Sequence, residues 1–184
     1  MKRIVVFLSS MMCATCMASE IKHYDVASNC SNESVIVSDG ATELCLATSM
    51  LKNARIVDAS GLMLFWSKNK HLSIKAQTAK DWGNDAIKMS NVPKAIVTGD
   101  YSGFDDKNLI EELKKLRAEI VGDGSMISLG ETSGKSENIY IVLGDGTSYV
   151  FVANKNNDHF FTQISIHGLS REEVINTVVK GVIK

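Results

Sequence analysis

The stretch from residue 126 to residue 167 constrains the fold most, because apolar and polar residues alternate along much of it. Asn138–Leu143 reads NIYIVL and Thr147–Ala153 reads TSYVFVA. Between them lies Gly144-Asp145-Gly146, a tight-turn sequence of the Asp-Gly kind. His159–His167 alternates in the same way. We therefore expect residues 126–167 to form an antiparallel β-meander.

Two helices are marked on either side of this stretch. Residues 106–121 place Leu109, Leu113, Leu116 and Ile120 at helical spacing, with Asp105 or Asp106 as the cap and Gly122 at the end. The order Ser170-Arg171-Glu172-Glu173 is a capping box that opens a C-terminal helix. These signals predict an α+β fold, a mostly antiparallel sheet with amphipathic helices on one face.

The other segments are assigned from shorter patterns. Strands are predicted at Glu33–Ser38, Arg55–Asp58, Leu62–Trp66 and Lys94–Thr98, and helices at Ala41–Lys52 and Lys80–Met89. Leu62–Trp66 (LMLFW) is interpreted as core, with an exposed partner-binding surface as the alternative.

The N-terminus has the layout of a secretory signal peptide. Basic residues precede an apolar run from Ile4 to about Met12, and small residues favour cleavage after Ala18. The alternatives are an uncleaved anchor and lipidation at Cys13 or Cys16. The expected organisation is a signal peptide at 1–18, a loose segment at 19–32 and one α+β domain at 33–184. No later stretch is apolar enough to predict a membrane span, and export to the periplasm or the medium is expected.

Cys30 and Cys45 are the cysteines left after removal of the signal peptide. An even pair in an exported chain predicts a disulfide, with two free thiols as the alternative.

Residues 129–136, LGETSGKS, resemble the end of a phosphate-binding P-loop. The pattern G-x-x-x-x-G-K-[ST] requires glycine at position 129, which is Leu129. A strand-like sequence follows where a helix N-terminus is required. We therefore interpret the stretch as a hairpin loop whose Lys135 and Ser136 could contact a partner, as could Trp66.

Histidine and acidic residues give no metal or catalytic pattern. The four histidines, His23, His71, His159 and His167, lack the short spacings of zinc sites. The formal net charge of −1 gives no electrostatic case for nucleic-acid binding. No cofactor, metal or catalytic residue is predicted.

Residues 106–179 resemble a family of small exported bacterial proteins known only as a domain of unknown function. The likeness lies in the order helix (NLIEELKKLRAEI), hairpin (ENIYIVLGDGTSYVFVA), strand ending in His-Gly, and capped helix (GLSREEVINTVV). It implies an exported α+β protein and no established activity.

The favoured hypothesis is an exported, non-enzymatic binding protein of the bacterial envelope with a protein partner. One alternative is an immunity or inhibitor protein that neutralises a toxin or hydrolase. The other is an enzyme that uses dispersed residues such as His71, His159 and Asp158.

Overall fold

A computed structural model describes residues 21–24, 30–58, 61–122, 128–133 and 136–182. The predicted signal peptide, its cleavage after Ala18, Cys13, Cys16 and Lys135 lie outside these residues.

Ten strands and four α-helical segments make up the described chain. The strands are β1 (Ile21–His23), β2 (Ser34–Ser38), β3 (Glu43–Ala47), β4 (Arg55–Asp58), β5 (Leu62–Ser67), β6 (Lys70–Thr78), β7 (Ser128–Ser133), β8 (Glu137–Leu143), β9 (Thr147–Asn154) and β10 (Phe160–His167). The helices are α1 (Thr48–Leu51), α2 (Val92–Thr98), α3 (Lys107–Val121) and α4 (Arg171–Glu173). Helix α4 continues with wider, π-type turns over Val174–Val179, and the two together are called the C-terminal helix. Short 3₁₀ turns occur at Ala79–Trp82 and Met89–Asn91.

Eight strands form one sheet in the order β1-β7-β8-β9-β10-β6-β5-β4. Every neighbouring pair is antiparallel except β1 and β7. Strands β2 and β3 form a separate two-stranded antiparallel sheet. The α+β class, the mostly antiparallel sheet and the presence of a C-terminal helix agree with the expectation from the sequence.

Each face of the large sheet packs against a hydrophobic core. Successive residues of β8 point to opposite faces, and the residues on both faces are buried. Ile139 and Ile141 share one core with the C-terminal helix and β3. Tyr140 and Val142 point to the opposite face and share the second core with α2 and α3. The prediction that the helices lie on one face is therefore wrong. A strand buried on both sides loses the alternation that would identify its covered face.

Lys94–Thr98 was predicted to be a strand and is part of helix α2. Pro93 lies in the first turn, where its missing N–H is not needed. Gly99 adopts a φ of 75° and donates its N–H to the carbonyl of Ala95, which ends the helix. The Ile and Val residues that suggested a strand are instead buried against the sheet.

The predicted helix at Ala41–Lys52 is also wrong over most of its length. Glu43–Ala47 is strand β3, and only Thr48–Leu51 is helical. Tertiary contacts decide this, because Leu44 and Leu46 are fully buried and the Cys45 N–H donates to the carbonyl of Gly181 at 2.7 Å.

The region from His71 to Met89 begins as a strand and continues in short turns. Lys70–Thr78 forms β6 in the middle of the sheet, and the predicted helix at Lys80–Met89 is reduced to the two 3₁₀ turns. Gly83, at a φ of 66°, ends the first turn and interrupts the expected helix.

Several local signals are confirmed. Asp106 caps α3 through bonds from the N–H groups of Asn108 and Leu109, and Ser170 and Glu173 form the predicted capping box. Cys30 and Cys45 are joined by a disulfide, with their Cα atoms 5.6 Å apart. The segment expected to be loose includes the short strand β1, which pairs with β7.

Within the predicted LMLFW core segment, burial differs along the strand. Leu64 is fully buried, whereas Met63, Phe65 and Trp66 are half-buried. The core interpretation therefore holds for Leu64 and only partly for its neighbours.

Candidate functional site

Most of the P-loop-like stretch is strand. Residues 128–133 form β7, and β8 begins at Glu137 as its antiparallel neighbour. The two strands of the expected hairpin are therefore present, but residues 129–133 belong to β7 and not to the predicted loop. Gly130 is needed for close packing, because a Cβ atom there would lie 2.4 Å from Cε2 of Tyr24. The absence of a side chain at Gly130 therefore makes room for an aromatic ring.

Ser136 and Trp66, two of the three residues predicted to contact a partner, line different cavities. Ser136 donates from Oγ to Glu137 Oε1 at 2.6 Å and borders a cavity of about 310 Å³ beside the β2–β3 turn. Trp66 donates its indole N–H to the carbonyl of Met50 at 2.6 Å and borders an apolar cleft of about 250 Å³. The structure does not bring these two residues together in one cavity.

The dispersed catalytic set does not form one site. His71 pairs in register with His167 at the end of β10, whereas His159 precedes the start of that strand. Eight residues at strand rise separate His159 from His167 by about 26 Å. His71 therefore cannot act together with Asp158 and His159 on one small substrate.

His71 and His167 stack with their ring centroids 4.4 Å apart. Nδ1 of His167 contacts the Thr147 hydroxyl at 3.0 Å, while Nδ1 of His71 is buried without a hydrogen-bond partner. A metal on Nε2 of His71 would require an N–H at that buried Nδ1 atom, with no acceptor for it. The described residues contain no group of three or more His, Cys, Asp or Glu side chains that could hold a metal ion.

We expect this histidine pair to make the stability of the protein depend on pH. Burial, followed by the charge of His71, lowers the pKa of His167 below its usual value of 6.5. The folded protein then binds fewer protons than the unfolded chain, so stability is full above pH 6.5 and falls as the pH drops toward the lowered pKa. We expect urea unfolding at pH 7.5 and pH 5.0 to show this loss, and His167→Asn to reduce it. His159→Asn is the control, and an unchanged pH dependence in His167→Asn would assign the effect to other groups.

A cavity of about 430 Å³ opens where α2 meets the ends of β8 and β9. Every lining side chain carries a hydrogen-bonding group: Lys88, Ser90, Asn91, Lys94, Asn138, Tyr140, Asn154, Lys155 and Asp158. We call it the polar cavity. Its volume lies within the range of roughly 300–1,000 Å³ found for small-molecule sites.

Local structure fixes the walls of the polar cavity. The Met89 N–H donates to the carbonyl of Asp158 at 2.8 Å, and the Ser90 hydroxyl donates to Oδ1 of the same residue. Met89 is fully buried below this contact. The turn before α2 is thus tied to the β9–β10 loop by two hydrogen bonds, which position Ser90 and Asp158 in the wall of the cavity.

The ammonium groups of the polar cavity have acidic neighbours. Lys94 Nζ lies 2.6 Å from Asp100 Oδ2, and this hydrogen bond raises the pKa of Lys94 and holds that of Asp100 well below its usual range. Lys88 Nζ is 4.0 Å from Asp158 Oδ2. Burial raises the pKa of Tyr140, so its hydroxyl is protonated at neutral pH.

Sequence reasoning identified only Asp158 in this cavity, as one of the dispersed residues of the enzyme alternative. The lining residues come from positions 88–94, 138–140 and 154–158, and none of these segments has a motif of its own. The polar run Asn154–Asp158 is the one local signal that could have pointed to a site.

Comparison with models of known protein families found no match, and comparison with curated proteins found no significant relative. The resemblance of residues 106–179 to small exported proteins of unknown function therefore stays a prediction. Among the described residues, no helix is long and apolar enough to cross a membrane.

Proposed function

We propose that this chain is an exported, non-enzymatic binding protein of the bacterial envelope, and that the polar cavity is its ligand-binding site. The observation that carries the proposal is the convergence of nine hydrogen-bonding side chains from three parts of the chain on one cavity of about 430 Å³. A small number of precisely placed polar groups is enough to orient a small ligand. The polar cavity has such groups on all of its lining side chains.

Binding explains the polar cavity better than catalysis does. Among the described residues that line it, Ser90 alone has a serine or threonine hydroxyl, and that hydroxyl donates to the carboxylate of Asp158. A carboxylate is a weak base for activating a serine hydroxyl, which normally relies on a histidine or a lysine positioned for the proton. The contact instead fixes the Asp158 carboxylate as a hydrogen-bond acceptor for a ligand.

Two observations support export. The first 18 residues have the charge and hydropathy pattern of a signal peptide. The disulfide between Cys30 and Cys45 fits an oxidising compartment such as the periplasm, because thiols in the cytosol are kept reduced.

The test is capture from a native envelope extract with the immobilised protein. We expect the wild type to retain an envelope component, and Lys94→Gln to lose it. Lys68→Gln removes the same charge from an exposed position outside the cavity, and it should retain the component. Equal capture by the wild type and both variants would contradict a role for the polar cavity. A captured toxin or hydrolase that loses its activity would establish the immunity alternative.

A further inference from the structure

We propose that strand β2 binds an extended segment of a different protein, which pairs with it as an additional strand and has an apolar centre and basic ends. No residue of β2 lines the polar cavity, so this inference does not depend on the small-molecule site. It follows from the unpaired edge of β2, from the apolar side chains exposed there and from the charges at its two ends.

The free edge of β2 has unpaired backbone groups. β2 pairs with β3 alone, and Ile36 lies opposite Cys45. The Cys45 N–H donates to the carbonyl of Gly181 and therefore points away from β2. In an antiparallel pair, two opposite residues that do not bond to each other both turn their N–H and C=O groups outward. The N–H and C=O of Ile36 thus point to the free edge, and no described residue bonds to them.

Apolar side chains are exposed along the same edge. Val35 is 41% exposed and Ile36 is 52% exposed, whereas Val37 is buried in the core. An edge of this kind can accept a strand from another chain, because main-chain hydrogen bonds supply affinity and side-chain contacts supply specificity. The partner segment is therefore expected to be apolar at the positions opposite Val35 and Ile36.

The outer strands of the large sheet are protected in ways that β2 is not. β4 has Arg55 and Asp58 at its two ends, and β1 has three residues with Lys22 at its centre. Charged side chains and short strands prevent unwanted pairing at sheet edges. β2 reads SVIVS and has neither a charged residue nor a proline over its five residues. The lack of protection distinguishes β2 as a binding edge.

The strand is also held in position before a partner arrives. The disulfide joins Cys45, which lies opposite Ile36, to Cys30 in the segment that leads into β2. The Ser34 N–H donates to the carbonyl of Ser31 at 3.0 Å, which fixes the turn at the start of the strand. A pre-ordered edge loses less conformational entropy when a segment binds to it.

The charges at the ends of β2 favour a different protein over a second copy of this chain. Glu33 precedes the strand and Asp39 follows it, and neither forms a salt bridge within the described part of the chain. Two copies paired antiparallel about Ile36 would place Glu33 of each chain opposite Asp39 of the other. Like charges directly opposite each other are destabilising. A segment with a basic residue at each end would instead complement both carboxylates.

The experiment is a fluorescence-anisotropy titration of the purified, disulfide-bonded protein with a labelled peptide, Lys-Thr-Val-Val-Val-Thr-Lys, whose ends are uncharged. Its lysines would lie opposite Glu33 and Asp39, and its central valine opposite Ile36. The matched peptide has a methyl group on the nitrogen of the central valine, which removes the N–H that would donate to the Ile36 carbonyl. We expect saturable binding of the first peptide, and about tenfold or more weaker binding of the methylated one, because that carbonyl loses its donor.

Ile36→Pro tests the same edge from the side of the protein. Proline removes the N–H that faces solvent and takes no donor from the β2–β3 ladder, a position where sheets tolerate it. We expect the variant to bind the first peptide about tenfold or more weakly than the wild type does. Ile56→Ala is the control, because Ile56 is 56% exposed on β4, and it should bind as the wild type does.

A third peptide with glutamate in place of both lysines tests the charges. It should bind more weakly than the lysine peptide, and the difference should shrink as salt is raised. Equal binding of the two at low salt would contradict the basic ends of the partner.

The proposed strand addition is wrong if the lysine peptide does not bind, if the methylated peptide binds as tightly, or if Ile36→Pro binds as the wild type does. Dimerisation of the wild type that Ile36→Pro abolishes, measured by analytical ultracentrifugation, would assign the edge to a second copy and would also overturn the proposal. The comparison of the lysine peptide with its methylated form uses the wild type alone, so it decides the question even if Ile36→Pro does not fold. Lys94→Gln tests the polar cavity separately.

Discussion

Replacing Phe151 with alanine is expected to lower the free energy of unfolding by about 3–5 kcal/mol. Phe151 is fully buried on β9, beneath α2 and α3. Its ring meets that of Phe161 edge-on, with centroids 6.1 Å apart, and lies parallel to that of Tyr149. The substitution removes the ring from the centre of the second core and leaves a cavity that neighbouring strands cannot close. Chemical denaturation monitored by circular dichroism measures the loss.

Ile36→Ala is the matched control for this prediction. Ile36 is also an apolar strand residue, but 52% of it is exposed, so its truncation should change stability by no more than about 0.5 kcal/mol. A loss below about 1 kcal/mol for Phe151→Ala would mean that helices α2 and α3 do not pack on the sheet as described.

The second core also shows why the sequence predicted some elements and not others. Helix α3 has apolar residues at helical spacing along its length, Asp106 as its N-terminal cap and a glycine at its end. Local signals of this kind predict a helix whatever the rest of the chain packs against it. Helix α2 has seven residues, of which five are buried, so its apolar residues occur too closely to show a helical period. A short apolar run is compatible with either a strand or a buried helix.

Strand β3 shows a second reason why a secondary-structure prediction from the sequence can be wrong. Its sequence, ELCLA, has good helix formers, and the predicted helix was reasonable on propensity. Contacts with residues more than 130 positions away decide otherwise, including the bridge between Leu44 and Val182. Tertiary pairing of this kind cannot be deduced from a local pattern.

The polar cavity could not be predicted from local sequence patterns, because it too depends on tertiary packing. Lys94 lies in a helix that was predicted to be a strand, and Asn138 and Asp158 reach it from another part of the chain. Unless α2 is placed correctly on the sheet, nothing in the sequence indicates that these side chains lie close together. The sequence predicted the disulfide, which is confirmed, whereas the site depends on how the elements pack.

Replacing both Cys30 and Cys45 with alanine is expected to lower the free energy of unfolding by about 3 kcal/mol. The cysteines are 15 residues apart, and the chain-entropy estimate for a loop of this length is roughly 3 kcal/mol. The small β2–β3 sheet shares no strand pairing with the large sheet, and the disulfide joins β3 to the segment just before β2. Its contacts with the rest of the protein include the burial of Leu44 and Leu46 in the core and the hydrogen bond from the Thr42 hydroxyl to that of Thr162. Denaturant unfolding of the variant and of the wild type measures the difference.

Reduction of the wild type provides the control, because it opens the disulfide without changing a side chain. The reduced wild type should lose nearly as much stability as the double variant, since alanine removes little packing volume at Cys45. In both proteins, hydrogen exchange should rise first in β2 and β3, while β8 and β9 stay protected within the large sheet. If the reduced and oxidised wild type unfold at the same denaturant concentration, the disulfide adds nothing to stability and the buried contacts of β3 are sufficient to hold the small sheet.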